Sequence, residues 1–258
     1  MLRFKNLGSG SSGNATLVEA GSGAHVKRLL IDCGLGLKAL EARLGLAGLA
    51  LSQIDAIFIT HEHSDHIGCA RQLALRYKTT VWMSHGTHLG TGEAAFEGLL
   101  NLAQDSVTID LGELQITPFT VPHDAREPLQ LRCSDGNRHL GVLTDLGHAT
   151  NHVLSHLAGC HALLLECNHD TDMLAAGAYP AFLKQRVGGR LGHLCNADAA
   201  QIAKSLNHEG LAHVVAAHLS RQNNHPALAQ SALAQALGRD VSDVGVATQD
   251  SGCDWITV

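Results

Sequence analysis

The cluster His61–His66, with the sequence HEHSDH, limits most strongly what this chain can fold into. It follows Asp55–Thr60, a short apolar and β-branched run that predicts a buried strand. At a strand end, the first two histidines can converge on one metal ion, while Asp65 and the last histidine face a neighbouring point. Nitrogen and oxygen ligands of this kind suit Zn²⁺, and also Fe or Mn. A solvated polar loop is the weaker alternative, because it leaves this density of ligands unexplained.

Further ligands are expected at the ends of other strands, because one short cluster cannot close two metal sites. Binding residues are often carried on loops that a rigid scaffold positions. Three predicted strands are each followed by a residue of a ligand type: Leu114–Val121 by His123, His139–Leu143 by Asp145, and His213–Ala217 by His218. A single histidine at a strand end is usually not a ligand, but three such positions after HEHSDH strengthen the prediction.

The composition agrees with metal chemistry and narrows the possible partners. The chain has 18 histidines among 258 residues, and imidazole is the commonest protein metal ligand. The net charge of -6 argues against a protein that coats DNA, and the aromatic content of 3% argues against an extended stacking platform. A nucleic-acid enzyme remains possible, because bound divalent ions add positive charge locally.

Strands and helices alternate along both halves, which predicts an α/β fold with two central sheets, helices outside, and one domain over residues 1–258. Besides the strands above, we predict strands at Leu2–Leu7, Thr16–Ala20, Arg28–Asp32, Thr80–Met83, Val107–Ile109, Leu129–Cys133 and Ala162–Cys167, and two short ones at the end. We predict helices from near Leu37 and at Ile67–Tyr77, Glu93–Ala103, Ala149–Leu157, Tyr179–Val187, Ala197–Leu206 and Pro226–Leu237.

The cysteines and the apolar segments indicate the compartment. The seven cysteines include no CxxC pair, which favours free thiols in a reducing compartment. The first residues, MLRFK, contain no apolar signal region, and no apolar stretch reaches the roughly 18 residues that a membrane span needs. We therefore expect a cytoplasmic protein that does not bind membranes.

HEHSDH followed by His, Asp and His at strand ends resembles the metallo-β-lactamase superfamily of metallohydrolases, over essentially the whole chain. The resemblance implies a four-layer αβ/βα sandwich, in which two mixed sheets carry two divalent ions at one edge, with Zn²⁺ favoured and Mn²⁺ or Fe²⁺ as alternatives. Carried over to this sequence, one ion would be held by His61, His63 and His123, the other by Asp65, His66 and His218, and Asp145 would bridge them.

Four shorter segments resemble the YycJ/WalJ branch of exonuclease-like phosphodiesterases: Gly10–Asn14, Glu166–Asp170, Gly192–Asn196 and His218–Asn224. The branch usually has Ser where this chain has Cys195. The resemblance implies a nucleic-acid substrate, most consistent with DNA, or a small phosphodiester. Two ions can activate a shared hydroxide, which Asp65 or Asp145 would orient. His193 is our candidate proton donor, and a merely hydrogen-bonded histidine is the equal alternative.

Substrate-binding residues are predicted less sharply than metal ligands. We name Asn14, Asn196, Arg221 and Asn223 as candidates, because they lie in or beside the segments just described. The glycine-serine loop before Asn14 fits a phosphate-binding turn or a plain hairpin turn equally well. Two further groups fit a solvated surface better than a site: the basic residues Lys184, Arg186 and Arg190, and the histidines His148, His152 and His156.

Several other activities share this scaffold, so fold alone does not fix the substrate. Thioesterase, lactonase, cyclic phosphodiesterase and tRNA-processing activity stay open, although we find no insertion like the long arm of tRNA-processing relatives. A secreted β-lactamase normally has a signal peptide and uses Cys at the bridging position, where this chain has Asp145. A non-catalytic metal protein is the third possibility, but closed structural sites usually place four protein ligands on one ion. The oligomeric state stays open.

Overall fold

Two seven-stranded β-sheets lie face to face at the centre of the fold, which a computed structural model describes for residues 1–23 and 25–258. The first sheet has the order β14-β1-β2-β3-β4-β5-β6 and is parallel from β3 to β6. Its strands are β1 (Leu2–Gly8), β2 (Ala15–Ser22), β3 (His25–Ile31), β4 (Ala56–Phe58), β5 (Thr80–Ser84), β6 (Leu100–Ala103) and β14 (Ile256–Thr257).

The second sheet comes from residues 109–246 and has the order β13-β12-β11-β10-β9-β8-β7. It is parallel from β10 to β13 and antiparallel from β7 to β10. Its strands are β7 (Ile109–Asp110), β8 (Gln115–Thr120), β9 (Leu129–Ser134), β10 (His139–Leu143), β11 (Ala162–Glu166), β12 (His213–Ala217) and β13 (Val244–Val246).

Helices cover the outer face of each sheet. Those on the first sheet are α1 (Leu37–Leu46), α2 (Ser64–Ile67), α3 (Ala70–Tyr77) and α4 (His85–Gly90). Those that follow β10 are α5 (Asn151–Leu157), α6 (Thr171–Ala176), α7 (Ala181–Val187), α8 (Asn196–Ser205) and α9 (Pro226–Leu237). Short 3₁₀ turns lie at Leu51–Gln53 and Val241–Asp243. Within the described ranges, no helix is long and apolar enough to cross a membrane.

Three hydrophobic clusters hold the layers together and confirm the four-layer αβ/βα sandwich. The cluster between the sheets joins Phe4 and Phe58 of the first sheet to Leu140 and Leu164 of the second. A second cluster packs α1 and α3 on the first sheet, and a third packs α5, α8 and α9 on the second. Parallel strands covered on both faces read as continuous apolar runs, as all three residues of β4 do.

One edge of the sandwich collects the ends of several strands. In a parallel sheet the strands point the same way, so their carboxyl ends lie side by side. Asp32 follows β3, the HEHSDH cluster follows β4, Asp145 follows β10, and His218 follows β12. This edge therefore brings together residues that lie far apart in the sequence.

The predicted helix at Glu93–Ala103 is wrong, because this stretch forms turns and then the edge strand β6. Glu93 and Glu97 adopt positive φ angles of 57° and 51°, and the neighbouring Gly92 and Gly98 do the same at 70° and 82°. A continuous right-handed helix cannot contain such residues. The last four residues of the predicted helix, Leu100–Ala103, instead pair in parallel with β5.

Candidate metal centre

Three imidazoles, from His61, His63 and His123, meet at the strand edge. His63 Nδ1 lies 3.0 Å from His61 Nε2 and 3.4 Å from His123 Nε2. His61 and His123 are buried, whereas His63 is half-buried at the start of α2. One ligand atom from each residue lies within 4.8 Å of the other two, which is the spacing of groups that could hold one cation.

A second group, formed by Asp65, His66 and His218, lies beside the first. Asp65 Oδ2 is 3.7 Å from both His66 Nε2 and His218 Nε2. Asp145 lies between the two groups, since its carboxylate is 3.2 Å from His66 Nε2 and 4.0 Å from His123 Nε2. The structure thus brings together all the residues that the sequence predicts as metal ligands.

The outer nitrogens of these imidazoles are held by neighbouring groups, so the inner nitrogens face the cluster. His61 Nδ1 contacts Thr60 Oγ1 at 3.0 Å, and His123 Nδ1 donates to the Gly192 carbonyl at 3.0 Å. His66 Nδ1 donates to Asp32 Oδ2 at 2.8 Å. Metal-binding histidines are typically fixed in this way by a carboxylate or carbonyl, which sets the tautomer and the orientation of the ring.

Two buried atoms test whether the residues fit a divalent cation. Asp145 Oδ2 and His218 Nε2 are buried and lack a hydrogen-bond partner, although buried polar atoms normally have one. A cation would satisfy both, because an ionised carboxylate oxygen and an imidazole lone pair are common ligands. The donor set of these groups therefore fits divalent metal ions.

The pKa shifts of His61 and Asp145 agree with this chemistry, whereas the surrounding carboxylates outweigh burial and raise the pKa of His66 well above its usual value and that of His218 to about 10. Burial lowers the pKa of His61 well below its usual value, so its ring stays neutral and keeps a lone pair for binding. Burial by itself raises the pKa of Asp145, but His218 and His66 outweigh burial and lower that pKa well below its usual value. Asp145 is therefore an anion at neutral pH.

Glu166, at the end of β11, is a site residue that the sequence reasoning missed. It is fully buried and accepts hydrogen bonds from His193 Nδ1 at 2.8 Å and from His218 Nδ1 at 2.9 Å. Burial by itself raises the pKa of Glu166, but the charge and hydrogen bond of His193, together with the hydrogen bond of His218, lower that pKa to about 2. The signal available in the sequence was a carboxylate that ends an otherwise apolar strand.

The sequence reasoning also missed Asp32. This residue shares a backbone feature with two of the predicted ligands. Asp32, Asp145 and His218 each follow a strand, and their own φ angles are 62°, 55° and 55°. A residue other than glycine in this left-handed region costs about 1–3 kcal/mol, and such strain clusters at functional sites. Here the turn ends the strand and directs the side chain into the cluster.

A cavity of about 320 Å³ opens beside the two groups. The ligand-type side chains of His63, Asp65, Asp145 and His218 line one part of it. His193, whose side chain is 20% exposed, lines it as well. The rest of the wall includes Ser11, Asn168, Tyr179 and Arg186.

None of the four predicted substrate residues lines this cavity. The Asn14 side chain binds the Asp65 carbonyl and lies 3.0 Å from His66 Nε2. Asn223 is fully buried beside Ser220, and the exposed Arg221 forms an ion pair with Asp250. Asn196 is buried and pairs with Asn224 through two amide hydrogen bonds of 2.9 Å. The amides of Asn14, Asn196 and Asn223 bind other parts of the protein, and the substrate role of the four residues stays a prediction.

The buried amide pair leads to a stability prediction. Asn196→Ala removes two buried hydrogen bonds, while Asn224 keeps its contacts with the Cys167 carbonyl and the His225 amide. We expect the free energy of unfolding to fall by about 1–3 kcal/mol, measured by urea denaturation. The KM for substrate should stay unchanged, and a raised KM with unchanged stability would contradict this structural role.

The histidines near α5 bind groups outside the metal centre, although the rings of His152 and His156 pack edge to face with centroids 4.4 Å apart. His148 precedes the helix and donates to the Arg190 carbonyl. His152 pairs with Asp105 at 2.8 Å, and His156 stacks on Phe119. Among the described residues, these three do not form a group that could hold an ion.

Comparison with known proteins matches the chain to one family. The model of the β-lactamase superfamily domain matches residues 27–218. Exodeoxyribonuclease YycJ of Bacillus anthracis is 35% identical over 254 residues, which is 95% of this chain and 93% of that protein. Exodeoxyribonuclease WalJ of Streptococcus pneumoniae is 31% identical over 249 residues, which is 95% of this chain and 91% of that protein.

Solved structures agree on the fold. The metallo-β-lactamase fold protein YhfI of Bacillus subtilis superposes with a TM-score of 0.75 at 18% identity and covers 99% of this chain and 98% of its own. Zn²⁺-bound PqqB of Methylobacterium extorquens superposes with a TM-score of 0.70 at 16% identity and covers 99% of this chain and 100% of its own. The predicted resemblance to the YycJ/WalJ branch is confirmed, and the chain belongs to the metallo-β-lactamase superfamily of metal-dependent hydrolases.

Proposed function

We propose that the chain is a dinuclear metal-dependent phosphodiesterase that shortens DNA from an end. The observation that carries this proposal is the position of Asp145, within 4.0 Å of imidazole nitrogens from both ligand groups. A shared carboxylate between two groups is the arrangement that a pair of neighbouring ions needs. The exodeoxyribonuclease names of two relatives that match 95% of this chain support the choice of substrate.

In this proposal each ligand group holds one ion. His61, His63 and His123 would hold the first, Asp65, His66 and His218 would hold the second, and Asp145 would contribute to both. Zn²⁺ suits the histidine-rich donor set best, and Mn²⁺ and Fe²⁺ are the alternatives. When bound, two such ions make water nucleophilic at neutral pH and stabilise the charge on the phosphoryl oxygens.

The side chains around the ions supply orientation and proton transfer. Asp65 and Asp145 orient the attacking water, since both carboxylates line the cavity. His193 gives a proton to the leaving oxygen, because its ring lines the same cavity. Glu166 positions His193 by accepting the hydrogen bond from Nδ1 at 2.8 Å.

We also infer that residues 1–258 act as one domain, since the two sheets share one hydrophobic cluster.

The test is a substrate panel with the protein stripped of metal and then refilled with Zn²⁺ or Mn²⁺. The panel contains bis(p-nitrophenyl) phosphate, 5′-phosphorylated DNA, a thioester and a lactone. We expect metal-dependent cleavage of the small diester together with progressive shortening of the DNA. The stripped protein is the control and should be inactive on both.

Either of two outcomes would overturn the proposal. Turnover of the thioester or the lactone without cleavage of either diester would leave a different hydrolase of the same family. Cleavage of circular single-stranded DNA as fast as linear DNA would replace the exonuclease with an endonuclease.

A further inference from the structure

Helix α7, over Ala181–Val187, lies at the mouth of the cavity with an unusual degree of exposure. None of its residues is buried, whereas a helix that packs on a core normally buries one face. Arg186 and Val187 at its end line the cavity, as does Tyr179 just before it. The helix therefore presents side chains to whatever enters the cavity.

Phe182 is the exposed aromatic residue of this helix. The sequence contains five phenylalanines, two tyrosines and two tryptophans, all within the described ranges, and Phe182 alone among them is classed as exposed, at 71%. Phe182 and Arg186 are four positions apart, so they lie on the same face of the helix. The exposed ring of Phe182 offers a face on which a nucleic-acid base can stack, on the same side of the helix as the cavity-lining Arg186.

The positive charge around α7 favours the binding of a polyanion. No Asp or Glu occurs between Asp172 and Asp198, and this stretch carries Lys184, Arg186 and Arg190. The chain as a whole has a net charge of -6, so this rim is a local exception. A phosphodiester chain matches such a rim, because Arg pairs strongly with phosphate oxygens.

Arg186 already pairs with an acidic residue next to the metal centre. Its Nε lies 2.6 Å from Asp124 Oδ2, and Asp124 Oδ1 lies 3.4 Å from His123 Nε2. The guanidinium is therefore held within reach of the place where a substrate phosphate would lie. Because the Arg186 side chain is 57% exposed, a phosphate can also approach it from solvent.

We propose that Phe182 and Arg186 form a subsite for single-stranded polynucleotides, in which Phe182 stacks on an unpaired base and Arg186 binds the adjoining phosphate. The subsite rests on the proposed function, since a strand bound at the subsite would enter the same cavity. A duplex is a poorer occupant, because its bases are already stacked and cover their faces. One such ring gives one stacking contact, which is consistent with a chain too poor in aromatic residues for an extended platform.

The test measures binding rather than turnover, with the metal-loaded protein and single-stranded DNA. The DNA carries phosphorothioate linkages that resist hydrolysis and a 2-aminopurine base placed at successive positions from each end. We expect the wild type to quench 2-aminopurine fluorescence at one position. Phe182→Ala should lose this quenching and weaken binding about 5- to 150-fold, the range for one base–aromatic stack. Phe182→Trp should retain both.

Two further variants complete the experiment. Leu191→Ala removes another exposed apolar side chain of the same stretch, 53% exposed, and should bind DNA like the wild type. Arg186→Gln should reduce the slope of log Kd against log salt by about 0.7, the value for one phosphate of a single strand.

The subsite is overturned if Phe182→Ala binds and quenches like the wild type, or if duplex DNA binds as tightly as the single strand. Turnover of the small diester by the wild type distinguishes a failure of the subsite from a failure of the proposed function. Diester turnover with unchanged binding by Phe182→Ala removes the subsite and leaves the proposed function. A wild type inactive on every diester removes the proposed function itself.

Discussion

Asp145→Asn is expected to lower diester hydrolysis about 1,000-fold or more and to reduce the bound metal. Asparagine keeps the shape of the side chain but removes the charge. The carboxylate lies between the two ligand groups, 3.2 Å from His66 Nε2 and 4.0 Å from His123 Nε2. Bound ions supply several kcal/mol of transition-state stabilisation, and each 1.36 kcal/mol corresponds to about tenfold in rate. Loss of correctly placed ions therefore costs about three orders of magnitude.

The measurement is metal content per chain after dialysis, together with the initial rate on bis(p-nitrophenyl) phosphate. Asp105→Asn is the matched control, because Asp105 also pairs with a histidine, His152, but away from the cavity. The control should keep both metal and rate. If Asp145→Asn kept its full metal content and a rate within tenfold of the wild type, Asp145 would not be the shared ligand.

The clustering of the candidate metal ligands could be predicted from the sequence because these residues obey a local rule. His61, His63, Asp65 and His66 are neighbours in the sequence, so their proximity in space follows directly. His123, Asp145 and His218 each come just after a predicted strand, and the two-sheet fold brings several strand ends to one edge. Fold class and ligand positions could therefore be read from the same pattern of strands.

Residues that act through other side chains could not be found in this way. Asp32 and Glu166 touch His66 and His218, which are 34 and 52 positions away in the sequence. Nothing local to a carboxylate reveals which imidazole it will meet. The same limit explains Asn196, whose partner is also distant, at Asn224. The predicted helix at Glu93–Ala103 failed differently, because glycine and positive φ angles overruled an apolar pattern.

Glu166→Gln separates positioning of His193 from proton donation. The amide still occupies the space of the carboxylate but weakens its hydrogen bonds to His193 and His218. Loss of such an outer partner typically costs about 10- to 100-fold in metal affinity or activity. We expect Glu166→Gln to slow the small diester and the DNA alike, because His218 belongs to a ligand group that both substrates use.

His193→Ala is expected to slow DNA cleavage about 100- to 10,000-fold, the usual contribution of a general acid, and to slow the p-nitrophenyl diester far less. An alkoxide leaving from DNA needs a proton, whereas p-nitrophenolate is stable without one. Because Nδ1 of His193 is engaged by Glu166, Nε2 is the nitrogen left to give that proton. The ratio of the two rates, measured with wild type and variant under the same metal, is therefore the decisive quantity. A variant that slows both substrates equally would show that His193 acts through the ions or their ligands, as Glu166 does, and the leaving oxygen would have to take its proton from water.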